Sequence, residues 1–182
     1  MNAQLRWRLW PQARRHGSFV LGALLTGLLC AAALLSLLWQ PHPPAEINIA
    51  QRLAPPGTSH WLGTDHLGRD IASQLLVGAQ SSLSVGVLAV GLGGLLGTAL
   101  GALAAAAAAS AQQRGGRRSL LDAALMRSCD FGFAFPALLT ALLLGALYGP
   151  GLATSVAAIA LFNVPVFARI TRTAAGAVWG RD

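Results

Sequence analysis

The chain contains no lysine, a single tyrosine and two cysteines, and only 10% of its 182 residues are charged. A soluble globular domain carries about a quarter charged residues. Charge cannot cover such a surface in water, and most of the apolar residues, 54% of the total, must face lipid or other protein. The mean hydropathy of +0.57 points the same way. This composition excludes a soluble enzyme of ordinary build. The absence of lysine removes any phosphate-cradling glycine loop ending in Gly-Lys. No nucleophile, base and orienting acid recur together, so no catalytic residues are expected. Cys30 and Cys129 lie in or beside apolar runs and lack the spacing of a disulfide framework or a zinc site.

What the chain does have is long uncharged runs. A bilayer core takes about 20 apolar helical residues at 1.5 Å each, and Ser18 to Trp39 carries no charge at all. That run exceeds the roughly 7–15 residues of a signal-peptide core, so residues 18–39 read as an uncleaved first span behind a basic tail, residues 1–17. Further runs cover Ser81 to Ala109, Phe131 to Tyr148 and Leu152 to about Ala168, the last containing Asn163 and Pro165. The fold class expected is all-α transmembrane, a multi-span helical bundle with about four spans. Residues 40–80 form a polar loop opening with Pro41, Pro43 and Pro44 and continuing through Pro55-Pro56-Gly57, all of which break helices. After Gly68, the residues Ile71, Leu75, Leu76 and Ala79 recur at helical spacing opposite Asp70, Ser73, Gln74 and Gln80. The pattern predicts an interfacial amphipathic helix leading into the second span. Residues 81–182 hold the remaining spans.

The net charge of +7 comes from 13 arginines against six acids, and their positions decide what it means. Arg6, Arg8, Arg14 and Arg15 precede span one. Arg114, Arg117, Arg118 and Arg127 lie between spans two and three, and Arg169, Arg172 and Arg181 follow span four. Four spans put these groups on one side and leave Arg52 and Arg69 on the other. By the positive-inside rule the amino terminus is then cytoplasmic and the loop of residues 40–80 external. Nucleic acid would want arginines gathered on one face with aromatic residues between them, so it is not an expected partner; membrane lipid is.

Within the loop runs His60-Trp61-Leu62-Gly63-Thr64-Asp65-His66-Leu67-Gly68-Arg69-Asp70, followed by Gly78-Ala79-Gln80-Ser81-Ser82-Leu83. Leu125-Met126-Arg127, Asp130, Ala134-Phe135-Pro136, Gly149-Pro150-Gly151 and Pro165 to Arg169 come in order behind it. From about Trp39 onward the sequence resembles the dipeptide, oligopeptide and nickel permease subunits of ABC importers, with Gly63, Thr64, Asp65, Gly68, Arg69 and Asp70 as the core of the shared motif. The resemblance implies a type I ABC importer permease bundle in a bacterial inner membrane. It also implies a second homologous permease subunit, two cytoplasmic ATPase subunits that use the ATP, and an external solute-binding protein. No cofactor of the chain's own is implied. In this family an EAA-type coupling loop follows the fourth span. The chain stops at Asp182, so the resemblance implies the amino-terminal part of a permease and an incomplete coupling element. The competing reading is a non-transporting membrane scaffold or assembly protein, or an inactive permease fragment.

Ala89, Gly93, Gly97, Gly101, Ala105 and Ala109 fall four apart and make a stripe of small residues along the second span. Such a stripe admits a second helix at close range, and Gly93, Gly97 and Gly101 are its expected packing residues. Asn163 is costly in lipid unless it faces protein or water. It is read either as a pathway residue, together with Pro165 and Phe135, or as an interhelical hydrogen bond. Pro136 and Pro165 are expected to kink their spans, and Asp130 is expected to pair with Arg127 three residues before it. His60, Asp65, His66 and Asp70 have the residue types of a metal site. The reading preferred here is nevertheless no metal site, with Asp65 or Asp70 capping the helix that follows.

Overall fold

A computed structural model describes residues 16–113 and 119–179. Arg6, Arg8, Arg14, Arg15, Arg114, Arg117, Arg118 and Arg181, on which much of the charge argument rests, lie outside the described residues. Among the described residues the regular elements are five α-helices and one short 3-10 turn, Ile49–Gln51. The helices are α1 (Gly17–Leu38), α2 (Ile71–Gln113), α3 (Leu120–Ala134), α4 (Ala137–Tyr148) and α5 (Leu152–Trp179). The protein is all-α. Three helices, α1, α2 and α5, are long and apolar enough to cross a membrane, and the bent pair α3–α4 makes a fourth span if counted as one. Leu24, Leu28, Leu95 and Leu142 are each more than 60% exposed, as expected of side chains whose partner is lipid or another subunit.

The chain divides into two compact units, residues 1–83 and 84–182. In the first, α1 and the loop after it surround the opening turns of α2. The amphipathic helix expected before the second span is continuous with it, giving one helix of 43 residues. At 1.5 Å per residue this is about 64 Å, roughly twice the thickness of a bilayer core. Its orientation also differs from expectation. The polar face docks, with Ser73 fully buried, while apolar Leu75 is 60% exposed. The loop offers this helix hydrogen-bonding groups rather than an apolar surface, so the polar face goes inward.

In the second unit the segment expected to be one span at 131–148 is interrupted. Helices α3 and α4 meet at 81° across Phe135-Pro136. Proline pushes its predecessor out of the helical region, and Phe135 is accordingly extended, with ψ of 125°. Helix α4 then ends at Gly149, whose φ of 82° suits a glycine terminator. Pro165 behaves differently. Helix α5 runs through it without interruption, and its ring is accommodated beside Gly132 of α3, where an added Cβ would lie 3.5 Å from the proline Cγ.

Candidate functional site: a hydrogen-bonded loop and a helical seam

The residues of the loop motif build the first unit's scaffold. Thr64, only 4% exposed, donates its hydroxyl to the Gln51 carbonyl at 2.5 Å and accepts the Ala54 N–H at 2.8 Å. Asp65 folds the turn that follows. Its Oδ1 accepts the N–H groups of Leu67 and Arg69 at 2.8 and 2.9 Å, and its Oδ2 accepts Arg69 Nε at 2.8 Å and Gln74 Nε2 at 3.1 Å. Desolvation pushes this carboxyl up, but the hydrogen bonds from Arg69, Gln74 and Leu67 outweigh it and hold the group well below the ordinary carboxylate range. Gly63 and Gly68 have φ of 78° and 75°, the left-handed region open to glycine. Both also sit against backbone. A Cβ on Gly63 would meet the Ala54 carbonyl at 2.5 Å, and one on Gly68 would overlap the Asn48 carbonyl.

Asp70 closes the loop onto α2. Its Oδ2 accepts both the N–H and the hydroxyl of Ser73 at 2.8 Å, which is the geometry of a helix N-cap. Its Oδ1 faces His60 Nδ1 at 3.0 Å. Burial raises this carboxyl and the bonds from Ser73 and His60, with the charge of His42, lower it further, for a net downward shift. Of the two aspartates read as possible caps, Asp70 is the one that caps α2; Asp65 organises the turn and pairs with Arg69. His66 is exposed.

The second unit is built on the stripe of small residues. Gly93, Gly97 and Gly101 are buried and press on α5. A Cβ on Gly93 would come 2.7 Å from Asn163 Cβ, one on Gly97 2.5 Å from the Val164 carbonyl, and one on Gly101 against the Ala168 carbonyl and 2.8 Å from Thr171 Cβ. The facing row on α5, Ala160, Val164 and Ala168, also falls four apart. Ala160 and Ala168 in it are only 8% and 0% exposed. Sequence reading passed over this second row, although its spacing was the available signal. Contacts advance along both helices in the same direction, so α2 and α5 run parallel.

Asn163 donates to the carbonyl of Ile159 in its own helix at 3.0 Å, and its Cβ lies against Gly93. The interhelical bond considered for it is not the one it makes. Phe135 has a different environment, 56% exposed with its ring 5.7 Å from Phe131. Asp130 pairs with Arg169 of α5 and not with Arg127 as its sequence spacing suggested. Arg169 also lies 4.6 Å over the Phe133 ring. Arg172 holds Asp122 by a two-pronged contact, Nε to Oδ1 at 2.5 Å and Nη2 to Oδ2 at 2.6 Å. Across these two bridges α3 and α5 run antiparallel, which brings the amino end of α3 beside the carboxy end of α5.

Comparison with known proteins gives the arrangement a context. No family model matches the chain. The glutathione transport system permease protein GsiD of Pectobacterium atrosepticum is 38% identical over 168 residues, 91% of this chain and 52% of that protein. The GsiD protein of Escherichia coli O6:K15:H31 is 38% identical over 164 residues, 90% of this chain and 51% of that protein. A probable D,D-dipeptide transport system permease protein, DdpC of Escherichia coli K12, is 34% identical over 151 residues, 81% of this chain and 47% of that protein. The chain spans about half the length of the curated relatives it matches.

Proposed function

The chain is a homologue of the permease subunits of peptide ABC importers, matched over about half of their length, and on that premise we propose that it forms part of a membrane pathway for a peptide-class solute. The observation that carries this is the similarity to transport permeases over nine-tenths of the chain. The relatives are named for glutathione and a D,D-dipeptide, so a short peptide or peptide derivative is the solute class proposed here. On this reading the chain moves solute by alternating access and catalyses no reaction. ATP is used by two cytoplasmic ATPase subunits, a second homologous permease completes the pathway, and an external binding protein delivers the solute. The scaffold alternative is not favoured, since the relatives are transport permeases.

A bacterial inner membrane is the proposed location, with the amino terminus cytoplasmic. The helix directions support the four-span count behind that orientation. If α2 and α5 are parallel and both cross the membrane, the chain between them must cross back, and the bent α3–α4 segment is the part available to do so. Arg169 and Arg172 then end on the same side as the arginines following α2, in keeping with the positive-inside rule. Asn163, at the seam, Pro165, beside Gly132 of α3, and Phe135, at the α3–α4 break, are the proposed pathway residues. A pathway whose walls rearrange needs helices that slide at close range, and backbone-to-backbone contact at Gly93 and Gly97 supports that placement.

The test is co-purification. The tagged chain, expressed with its genomic neighbours and extracted in mild detergent, is expected to bring down an ATPase and a second permease. Recovery of neither would overturn the transport reading in favour of the scaffold.

A further inference from the structure

The loop assembles a set of side chains that no single stretch of sequence contains. His42 comes from the proline-rich segment after α1, His60 from the middle of the loop, and Asp70 from the cap of α2. Their potential ligand atoms all lie within 4.8 Å of one another. His60 Nδ1 is 3.0 Å and His42 Nδ1 3.9 Å from the same oxygen, Asp70 Oδ1, with the two imidazole rings 4.6 Å apart. The other carboxylate oxygen is already engaged by Ser73, and the Ser73 hydroxyl also accepts the backbone N–H of His42 at 3.0 Å. Oδ1 is thereby aimed at the imidazoles.

One buried nitrogen of this set has no protein partner. His60 Nε2 lies 3.1 Å from Gln51 Oε1, an oxygen that also accepts from Asn48 Nδ2. A carbonyl oxygen can only accept, so Nε2 carries a proton. His60 Nδ1 faces the free oxygen of the Asp70 carboxylate. Beside it His42 Nδ1 is closed to solvent and has no hydrogen-bond partner, a situation that costs stability in a folded protein. Three potential ligand atoms therefore converge on one place. A cation placed among them would satisfy all three at once, with Gln51 fixing the tautomer of His60 as outer partners of metal-bound histidines do.

We propose that His42, His60 and Asp70 bind a divalent transition-metal ion of the zinc class through the two Nδ1 atoms and Asp70 Oδ1. Two imidazoles and a carboxylate are a borderline donor set, suited to such ions and unsuited to calcium or magnesium. Bonds of about 2.0–2.1 Å in a tetrahedron separate the ligand atoms by about 3.3 Å, between the two separations from Oδ1 seen here. The His42 side chain is 40% exposed although its Nδ1 is closed to solvent, so a turn of that ring would admit the ion and a water as fourth ligand. The bound ion would tie the segment leaving α1 to the first turn of α2. The set differs from the one read in the sequence, because Asp65 is committed to Arg69 and His66 is exposed and not among the clustered ligand atoms. The proposal does not rest on the transport reading.

The experiment uses the full chain in detergent, carrying no polyhistidine tag and stripped with a chelator. Co2+ alone serves as the spectroscopic probe, with Zn2+ as competitor. One Co2+ per chain, visible by its ligand-field absorption and displaced by Zn2+, is expected. His42→Ala is expected to weaken binding at least tenfold, whereas His66→Ala leaves it unchanged. Because His42→Ala also removes the ring's contact with His60, each protein is compared with its own metal-free form, and the rise in melting temperature on adding Zn2+ should be lost in the variant. Equal affinity in parent and His42→Ala, or binding that does not saturate at one ion per chain, would overturn the proposal.

Discussion

At the scale of the residue, the shared loop motif has a mechanical explanation. Thr64, Asp65 and Asp70 direct their polar atoms to backbone groups of the loop and of the first turn of α2. Gly63 and Gly68 occupy positions where a side chain meets both a forbidden φ and a carbonyl. The motif thus holds a particular loop, and nothing in these contacts is specific to a solute. Gly68→Ala is expected to destabilise the first unit by roughly 1–3 kcal/mol from the backbone conformation, with the overlap on Asn48 adding to it. Gly57→Ala, where an added Cβ would find only the Pro55 carbonyl at 3.9 Å and φ is not positive, should be close to neutral. Thermal melting in detergent, followed by tryptophan fluorescence, makes the comparison, because Trp39 and Trp61 pack 5.3 Å apart in this unit. Equal melting of the two variants would refute the account of Gly68.

Among the elements, two features set the second unit: a seam without side chains between α2 and α5, and a break between α3 and α4. In lipid there is no hydrophobic drive to press helices together, so close approach and dispersion must do it. Gly97→Leu puts a branched side chain where Val164, Phe167 and Ala168 already sit, and overpacking of that kind costs about 1–3 kcal/mol. Gly91→Leu is the matched control, on the same helix but with nothing within 4 Å of its added Cβ. The expected result is a lowered melting temperature for the first variant and little change for the second; similar values for both would remove the seam from the account. The break is a matter of proline context. Pro136 follows an extended Phe135 and ends a helix, while Pro165 has Gly132 beside its ring and is carried within α5.

For the whole molecule, the parallel course of α2 and α5 predicts where the ends of the spans emerge. In a background lacking Cys30 and Cys129, a cysteine placed at Gln51 should react with an impermeant maleimide in intact cells. One placed at Gly176, near the end of α5, should react only after lysis. Labelling of position 176 from outside would mean that α3–α4 dips into the membrane and returns, and the four-span arrangement would fall. The ion pairs Asp130–Arg169 and Asp122–Arg172 argue against that outcome, because they set α3 antiparallel to α5, with Asp122 in the first turn of α3 beside Arg172 in the later part of α5.

The amino-acid sequence alone determined the class of this protein. Too few charges to cover a water-facing surface, uncharged runs of bilayer length and arginines at their ends are properties of composition and order, and they need no tertiary contact to be read. The glycine stripe was equally visible, since four-residue spacing places its members on one helix face wherever that helix goes. What packs on that face was not, because a partner is a relation between distant segments, and the matching row of α5 has no local mark beyond its own spacing. For the same reason Asp130 was paired with its neighbour Arg127, when a helix alongside supplied Arg169. The inward turn of the polar face of α2 was settled by the hydrogen-bonding groups the loop presents to it. His42 shows the limit most clearly. In the sequence it is one histidine in a proline-rich segment, and only the folded loop, by carrying it to the cap of a helix that starts 29 residues later, sets its nitrogen beside Asp70 and His60.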